Sequence, residues 1–312
     1  MLTKTPIKDM SREEWLAERN KSIGGSDAGT ILGFNKWNSP YALWAEKSGK
    51  LVPEDISDRE AVRLGNDLEQ YVASRFEEAT GKKVHRCNYI IRNDKFPFAH
   101  ANVDRMVYGE NAGLECKTTS NYEYAKLLES GSFPETWLCQ ITHYMAVTDA
   151  DHWYLAALVF GKGFYWFEVK REDSECAALM AVEADFWERV THNAPPAIDG
   201  AEATAEALRT VFPESEEGRT VDLSGFAANL ELYNALGRQI KELEEQRDTQ
   251  ANYIKGFMGS AEKGEAGNYS VSWKSQSRST FDRKKYEQAC GAIPQEFFKT
   301  STFRAFKITE RS

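Results

Sequence analysis

The sequence predicts an α/β or α+β protein whose central mixed sheet is flanked by helices. Amphipathic helical segments alternate with short apolar strand-like runs between residues 11 and 191, and Gly, Pro and Asn residues separate the segments. The chain has 312 residues, of which 41% are hydrophobic, so it can form one large domain or two ordinary ones.

Composition excludes several classes of protein. The net charge of −9 argues against a protein that coats nucleic acid non-specifically, although it leaves room for a nuclease with a local basic groove. The five cysteines include no C-x-x-C pair, so neither a disulfide framework nor a zinc site is indicated. No signal peptide and no membrane-spanning run is present, which predicts a cytoplasmic protein without a membrane partner.

The first eighty residues predict four helices. Ser11 and Glu14 form a capping box, Ser39-Pro40 begins a helix that stops before Gly49, and a long apolar stripe ends at Gly81. Ser26 is predicted to cap a helix that runs to Leu32, next to backbone N–H groups that can hold an anion. The predicted helices cover residues 11–20, 26–32, 40–47 and 58–80.

A hairpin at residues 102–117 is the centre of the predicted sheet. Strands are predicted at 83–91 and 98–101, and the turn 109–113 then joins two apolar runs. Side chains alternate along a strand, so Glu115 and Lys117 share one face and Cys116 lies on the other. If the strands pair, Asp104 joins Glu115 at one end of the sheet and the three charges suit a metal site. A solvated cross-strand ion pair is the alternative.

The elements after the hairpin complete the predicted core. Helices are predicted at 122–128, 136–147 and 172–191, and strands at 151–160 and 164–169. Gln140 and Tyr144 are four residues apart on the second of these helices and therefore share a face.

Three regions are predicted: a core domain at 1–198, an acidic linker at 199–222 and a C-terminal extension at 223–312. The extension begins with a helix at 225–258, whose apolar residues have the 3- and 4-residue spacing that favours packing on another helix or chain. A strand at 269–274 follows. The last part, through Arg311, is basic and rich in aromatic residues, which fits a nucleic-acid contact, a docking arm or a solvated surface.

The ordered set of polar residues resembles the PD-(D/E)XK nuclease superfamily. A helical Glu69, a strand Asp104 and the Glu115-x-Lys117 pair match its motif positions, and Gln140 with Tyr144 resembles the element shared with RecB-type nucleases. The stretches IGGSDAGTILGFNKWNSPYALWAEKSGKL, RLGNDLEQ and GLECKTT are similar to YqaJ-type phage recombinases, relatives of the lambda alkaline exonuclease. This resemblance covers about residues 19–195 and implies a PD-(D/E)XK nuclease core with a C-terminal helical and β extension.

The resemblance implies a Mg²⁺- or Mn²⁺-dependent exonuclease with two metal ions, which digests one strand of duplex DNA from its 5′ end. Asp104, Glu115 and the Cys116 carbonyl would be metal ligands, since hard oxygen donors suit these ions. Glu69 would hold a second ion or its waters. Lys117 would orient or deprotonate the attacking water.

The resemblance also implies a 5′-phosphate pocket and partners. The pocket would consist of Arg19, Ser26, Asn102 and Gln140, with Tyr144 beside them; Asn102 stands where relatives have a Ser. The partners would be duplex DNA ends, two further copies of the chain in a homotrimer, and a single-strand annealing protein of the RecT or beta type. A phage or prophage in a bacterial host would encode the chain.

Two rival functions stay open on sequence grounds. One is a nuclease of the same superfamily that cuts internally without a preference for ends. The other is a DNA-binding or scaffold protein that keeps the fold without catalysis.

Overall fold

A computed structural model describes residues 1–52 and 55–309 of the chain. Its residues form two compact units, Met1–Pro213 and Glu214–Ser312. Arg311, at the end of the predicted basic tail, lies outside the described residues. Within the described residues no helix is both long and apolar enough to cross a bilayer.

A five-stranded mixed sheet forms the centre of the first unit, as the sequence predicts. Its strand order is β3-β6-β7-β8-β9. The predicted hairpin is confirmed, because β6 and β7 pair antiparallel with Arg105 opposite Leu114, and β7 pairs in parallel with β8 along its whole length. The strands are β3 (Val84–Arg86), β6 (Arg105–Val107), β7 (Ala112–Thr119), β8 (His152–Val159) and β9 (Gly163–Lys170).

A second, four-stranded sheet contains the chain's first residues. Its order is β1-β4-β5-β2, from β1 (Leu2–Pro6), β2 (Ile23–Gly24), β4 (Tyr89–Asn93) and β5 (Ala99–Ala101). The single strand predicted at 83–91 is therefore wrong: it is divided between β3 and β4, which belong to different sheets. Strand β1 was not predicted, since it is short, mostly exposed and paired only with β4.

The helices of the first unit begin and end largely where the sequence places them. Ser11 and Glu14 form the predicted capping box, Ser39 accepts from the Ala42 N–H, and Gly81 takes a left-handed conformation after the longest helix. The helices are α1 (Arg12–Asn20), α2 (Gly25–Ile31), α3 (Pro40–Lys47), α4 (Glu60–Thr80), α5 (Tyr122–Glu129), α6 (Glu135–Thr148), α7 (Asp173–Thr191) and α8 (Glu202–Val211).

Two differences concern α2 and α8. The prediction that Ser26 caps α2 is wrong: Gly24 is the N-cap, its N–H donates to Asp27, and Ser26 lies in the first turn with its hydroxyl directed outward to Arg19. Helix α8 lies in the segment predicted as a linker. Thr204 and Ala207 of α8 are buried, and the Thr204 hydroxyl donates to Ser39, so the first unit extends beyond residue 198 to Pro213.

The central sheet is covered on both faces. Val72, Ala73 and Phe76 of α4 pack on the face to which Leu114, Tyr154 and Ala156 point. On the other face, α6 and α7 cover Trp153, Leu155 and Ala157. Helix α6 is buried over most of its length, and the end of β7 lies between these two layers.

The second unit contains α9 (Ala227–Met258), the hairpin β10 (Lys263–Ala266) and β11 (Tyr269–Ser272), and the short α10 (Arg283–Cys290). Helix α9 matches the predicted long helix, and no residue of it is buried. Its apolar residues, including Leu236, Ile240 and Leu243, are exposed.

A polar cluster fixes the turn between β6 and β7, which is the turn of the predicted hairpin. Glu110 accepts from Tyr154 (2.9 Å), lies 2.9 Å from the His152 Nε2 and pairs with Lys82 at 2.5 Å. The Lys82 ammonium, with His152 and Tyr154, lowers the pKa of Glu110 to about 2. Glu110, with Tyr154, raises the pKa of Lys82 to about 12. The cluster therefore stabilises the folded turn while Glu110 is ionised.

We expect Glu110→Gln to lower the thermal midpoint at pH 7, by an amount equivalent to about 1 kcal/mol, because Lys82 loses its partner. A carboxylate with a depressed folded-state pKa stabilises above its unfolded pKa, near 4.5, and the effect is lost as the pH falls towards 2. The difference between the thermal midpoints of the two proteins should be constant from pH 7 to about 5 and should shrink as the pH falls from there to 3. A difference that stays constant over that range would contradict the assignment.

Candidate active site

Glu115 and Lys117 lie side by side on the α6 face of β7, as strand alternation predicts. The Lys117 Nζ is 2.6 Å from the Glu115 Oε1 and donates to the Gln140 Oε1 at 2.8 Å. Gln140 in turn donates to the Tyr144 hydroxyl at 2.9 Å. Glu115 is 3% exposed, so this is a buried network and the alternative of a solvated ion pair is wrong.

The charges around Lys117 keep it protonated. Burial alone would lower the pKa of the Lys117 ammonium, but Glu115 and then Asp104 outweigh it, and the pKa lies above the ordinary lysine value. The ammonium therefore offsets the negative charge that the two carboxylates bring to this end of the sheet.

Asp104 precedes β6 and is joined to β7 through the backbone. Its Oδ2 accepts from the Cys116 N–H at 2.8 Å. Burial first, and the neighbouring Glu115 second, raise the pKa of Asp104 well above the usual range. The Glu115 Oε2 is buried and has no hydrogen-bond partner among the described residues. Two carboxylates are thus held close together with unused oxygen capacity, an arrangement that suits a cation.

Glu69 reaches the same edge from α4, but its carboxylate is engaged. Arg105 donates to Glu69 and also to the Gln70 side chain and the Asp104 carbonyl. Arg105 is buried and points to the α4 face because it alternates with Asp104. Among the described residues no three His, Cys, Asp or Glu side chains converge as a metal site, in agreement with this engagement of Glu69.

The residues predicted to hold a phosphate flank the network through α2. The Arg19 Nη2 donates to the Ser26 Oγ at 3.2 Å, and the guanidinium lies 4.5 Å from the centre of the Trp15 ring. Tyr144 packs directly on Gly25, where an added Cβ would be 2.5 Å from the ring. Tyr144 therefore connects the Arg19–Ser26 pair to Gln140 and Lys117.

Asn102 is the predicted pocket residue that the structure least engages. Both polar atoms of its side chain are buried, and neither has a hydrogen-bond partner within the described residues. An amide in that state has one donor group and one acceptor available to a ligand.

The sequence did not predict an ion pair, between Lys47 and Asp27, that lies close to the Arg19–Ser26 pair. Lys47 pairs with Asp27 at 2.8 Å and donates to the Ser22 carbonyl at 3.0 Å. Burial would raise the pKa of Asp27, but Lys47 outweighs it and the pKa is lowered. Both residues lie inside the stretch that carries the family resemblance, yet only the fold shows that they meet.

A second missed feature is a buried pair behind α6. The His143 Nδ1 lies 2.9 Å from both oxygens of Glu183, and its Nε2 lies 2.9 Å from the His100 carbonyl. The His100 carbonyl can only accept, so the Nε2 carries a proton, and an ionised Glu183 would accept from the Nδ1 as well. Burial raises the pKa of Glu183, although His143 opposes that shift. Burial would lower the pKa of His143, and Glu183 reverses this and raises it. Nothing in the spacing of residues 100, 143 and 183 predicts the pair.

Comparison with known proteins identifies the family. Residues 14–151 match the model of the YqaJ-like viral recombinase domain. The chain is 41% identical over 310 residues to the uncharacterized protein YqaJ of Bacillus subtilis (strain 168), covering 97% of this chain and 96% of that protein. The chain belongs to the YqaJ family.

Solved structures resemble part of this YqaJ-family chain. The structure of LHK-Exo in complex with dAMP is 17% identical, has a TM-score of 0.50, and covers 58% of this chain and 94% of its own. A crystal structure of the same alkaline exonuclease, from Laribacter hongkongensis, is 16% identical with a TM-score of 0.49 over the same shares. The likeness to the dAMP complex confirms the predicted core fold, in which a central mixed sheet is flanked by helices.

In the YqaJ-family chain the site therefore has two chemically distinct parts on one side of α6. Asp104, Glu115 and Lys117 can bind a divalent cation and a water molecule, and Arg19 with Ser26 can bind an anion. Gln140 and Tyr144 join the two parts by hydrogen bonds.

We expect Asp104→Asn to raise the thermal midpoint of the metal-free protein. The change removes a buried negative charge beside Glu115 and keeps an oxygen to accept from Cys116, and a gain of about 1 kcal/mol corresponds to roughly 2–4 °C. Melting curves recorded with a chelator measure it. Asp151→Asn, at an exposed position in the same unit, is the matched control. A lower midpoint for Asp104→Asn would show that Asp104 has a stabilising role instead.

Proposed function

We propose that this chain is a metal-dependent exonuclease that digests one strand of duplex DNA from the 5′ end and leaves 3′ single-stranded tails. The main support is the buried Glu115–Lys117–Gln140 network with Asp104 at its edge. A half-buried ammonium paired with a buried carboxylate, and joined through Gln140 and Tyr144 to the Arg19–Ser26 pair, fits hydrolysis of a phosphodiester better than a passive DNA-binding surface.

The residues present fit a divalent cation. The unpartnered Glu115 Oε2 and the carboxylate of Asp104 are hard oxygen donors, and the Cys116 carbonyl would be a third. We propose Mg²⁺ or Mn²⁺. When bound, the ion would supply Lewis-acid stabilisation of the phosphate and a water of lowered pKa. Glu69 would take part in binding a second ion or its waters only if its pair with Arg105 opened.

The chain's own residues would do the remaining work. Lys117 would orient the attacking water and offset the charge that develops on the phosphate oxygens, because its ammonium is already fixed by Glu115 and Gln140. The Gln140 amide, which donates to Tyr144 and accepts from Lys117, would hold the Lys117 ammonium in a fixed position relative to Tyr144. Arg19 and Ser26, with the unpartnered amide of Asn102, would hold the terminal 5′ phosphate and so determine which bond reaches Lys117.

The partners follow from this chemistry and from the family. The substrate would be a duplex end with a 5′ phosphate, and each cut would regenerate one. We propose a homotrimer as the assembly, and transfer of the 3′ tail to a single-strand annealing protein of the RecT or beta type. The protein would act in the cytoplasm of a host cell.

The rival that cuts internally is distinguished by substrate shape. A closed circular duplex has no end for the Arg19–Ser26 pair to hold, so it should resist this chain while its linearised form is digested. Equal loss of both forms would favour the endonuclease.

We expect Lys117→Ala to reduce digestion of linear 5′-phosphorylated duplex by roughly 10²–10⁴-fold, because the water loses its orienting group. Binding of the same duplex in the presence of a chelator should persist. Lys126→Ala, at an exposed lysine paired with Glu123, is the control and should leave the rate unchanged. Chelation should abolish wild-type digestion, and added Mg²⁺ should restore it. Full activity of Lys117→Ala would contradict the proposed role of Lys117 in hydrolysis.

We expect a duplex with 5′-hydroxyl ends to be digested about tenfold or more slowly than the phosphorylated one, since a charge-assisted hydrogen bond contributes roughly 1.5–3 kcal/mol. Arg19→Ala should slow the phosphorylated substrate and largely remove this difference. Arg12→Ala on the same helix, which contacts Asp55, should preserve it. Equal wild-type rates on both substrates would remove the pocket from the mechanism.

A further inference from the structure

The end of the second unit is strongly basic in an acidic chain. Residues 274–309, the basic tail, contain eight Lys or Arg and three Asp or Glu, whereas the whole chain carries −9. Residues 199–222, by contrast, contain seven Asp or Glu and two Arg. The positive charge is therefore concentrated in one segment, which is the pattern of a polyanion contact.

The acidic residues of the tail are partly engaged, and they leave most of its cations unpaired. Asp282 caps α10 by accepting from the Lys285 N–H, and Glu287 pairs with Arg283 at 2.7 Å. In the described part of the chain Lys284, Lys285, Lys299 and Lys307 form no ion pair, and all four are exposed. Four ammonium groups are thus available to phosphates.

Aromatic rings alternate along the sequence with the Lys and Arg residues of the tail. Four of them are followed directly by a Lys or Arg in the sequence: Trp273-Lys274, Phe298-Lys299, Phe303-Arg304 and Phe306-Lys307. Phe297 is 73% exposed and Phe303 is 77% exposed. The Arg283 guanidinium lies 5.0 Å from the centre of the Phe298 ring, which shows that a flat cation already uses one ring face.

The tail has little regular structure that would turn these rings into a core. Beyond α10 it contains one short 3-10 turn at Gln295–Phe297, and the last described residues, 298–309, form no helix or strand. Among the described residues of the tail none is buried. Exposed rings at this density mark an interaction surface rather than a packing defect.

We infer that the basic tail binds single-stranded DNA, with bases stacking on Phe297 and Phe303 and phosphates on the neighbouring lysines. Duplex DNA offers phosphates but no free base faces. An acidic partner protein would pair with the lysines and leave the aromatic rings exposed. Single strands offer both at once. The choice of DNA over RNA rests on the proposed function, whose product is a single-stranded DNA tail.

Binding of the full-length chain to fluorescent oligo(dT) with a 5′ hydroxyl, measured by anisotropy with a chelator and without metal, tests the charge contribution. The triple variant Lys284→Gln, Lys285→Gln, Lys299→Gln should weaken binding and reduce the slope of log K against log salt by about 2, since each single-strand phosphate contact contributes about 0.7. The matched control, Lys241→Gln, Arg247→Gln, Lys255→Gln on α9, should preserve affinity and slope. Equal behaviour of both triples overturns the inference.

A second pair of variants tests stacking. Phe297→Leu with Phe303→Leu keeps apolar surface but removes the rings, and should weaken oligo(dT) binding about tenfold or more while duplex binding is unchanged. Phe257→Leu on α9, where the residue is 95% exposed, is the control. The inference is contradicted if the double variant binds oligo(dT) as tightly as the wild type, or if it loses as much affinity for duplex DNA as for oligo(dT). It is also contradicted if the wild type binds an RNA of the same length more tightly, or if polyglutamate competes with oligo(dT) as well as unlabelled oligo(dT) does. Circular dichroism confirms that every variant is folded.

The two proposals fail separately in these assays. Oligo(dT) binding without metal does not require Lys117, and digestion of a linear duplex does not report on the tail. If the wild type does not digest duplex DNA but its oligo(dT) binding still depends on the tail, only the nuclease assignment is contradicted. If it digests duplex DNA but the tail variants bind oligo(dT) as the wild type does, only this inference is contradicted.

Discussion

The burial of two opposite charges on one face of β7 is the constraint on which the site depends. Glu115 and Lys117 alternate onto the α6 face of a strand covered on both sides, where an unpaired ion would cost several kcal/mol. Each therefore needs the other, and Gln140 and Asp104 complete the set. Hydrogen bonds of Gln140 to Lys117 and of Asp104 to the Cys116 N–H connect α6 and the segment before β6 to this strand.

Two glycines allow the anion-binding part to approach this network. Gly25 and Gly29 are four residues apart on α2 and face Tyr144 and Thr136 of α6. A Cβ atom at Gly25 would lie 2.5 Å from the Tyr144 ring, and one at Gly29 would lie 3.1 Å from Thr136. Small residues at this spacing let the two helices lie close together. Ser26 is carried to the α6 side with them, and Arg19 follows because it donates to the Ser26 hydroxyl.

The sequence predicts the catalytic candidates better than their surroundings. Strand alternation places Glu115 and Lys117, and helical spacing places Gln140 and Tyr144, because both are local periodicities. The Lys47–Asp27 pair and the His143–Glu183 pair join residues twenty and forty positions apart, so no local pattern reveals them. The same limit applies to the split between β3 and β4 and to β1, whose partner is decided by the tertiary fold. Glu69 extends from α4 towards Asp104, but no local pattern reveals that Arg105 donates to its carboxylate.

Unsatisfied polar atoms are concentrated where the proposed ligands would bind. Of the six buried side-chain atoms without a partner in the described residues, four belong to His100, Asn102 and Glu115. His100 is neutral, because burial lowers its pKa to about 3, and an added Cβ at Gly24 would lie 3.1 Å from its unpartnered Nε2. Each such atom costs roughly 1–3 kcal/mol in a folded protein. The proposed binding of a phosphate and a metal ion would give these donors and acceptors their partners and so account for a cost that the folded chain otherwise carries.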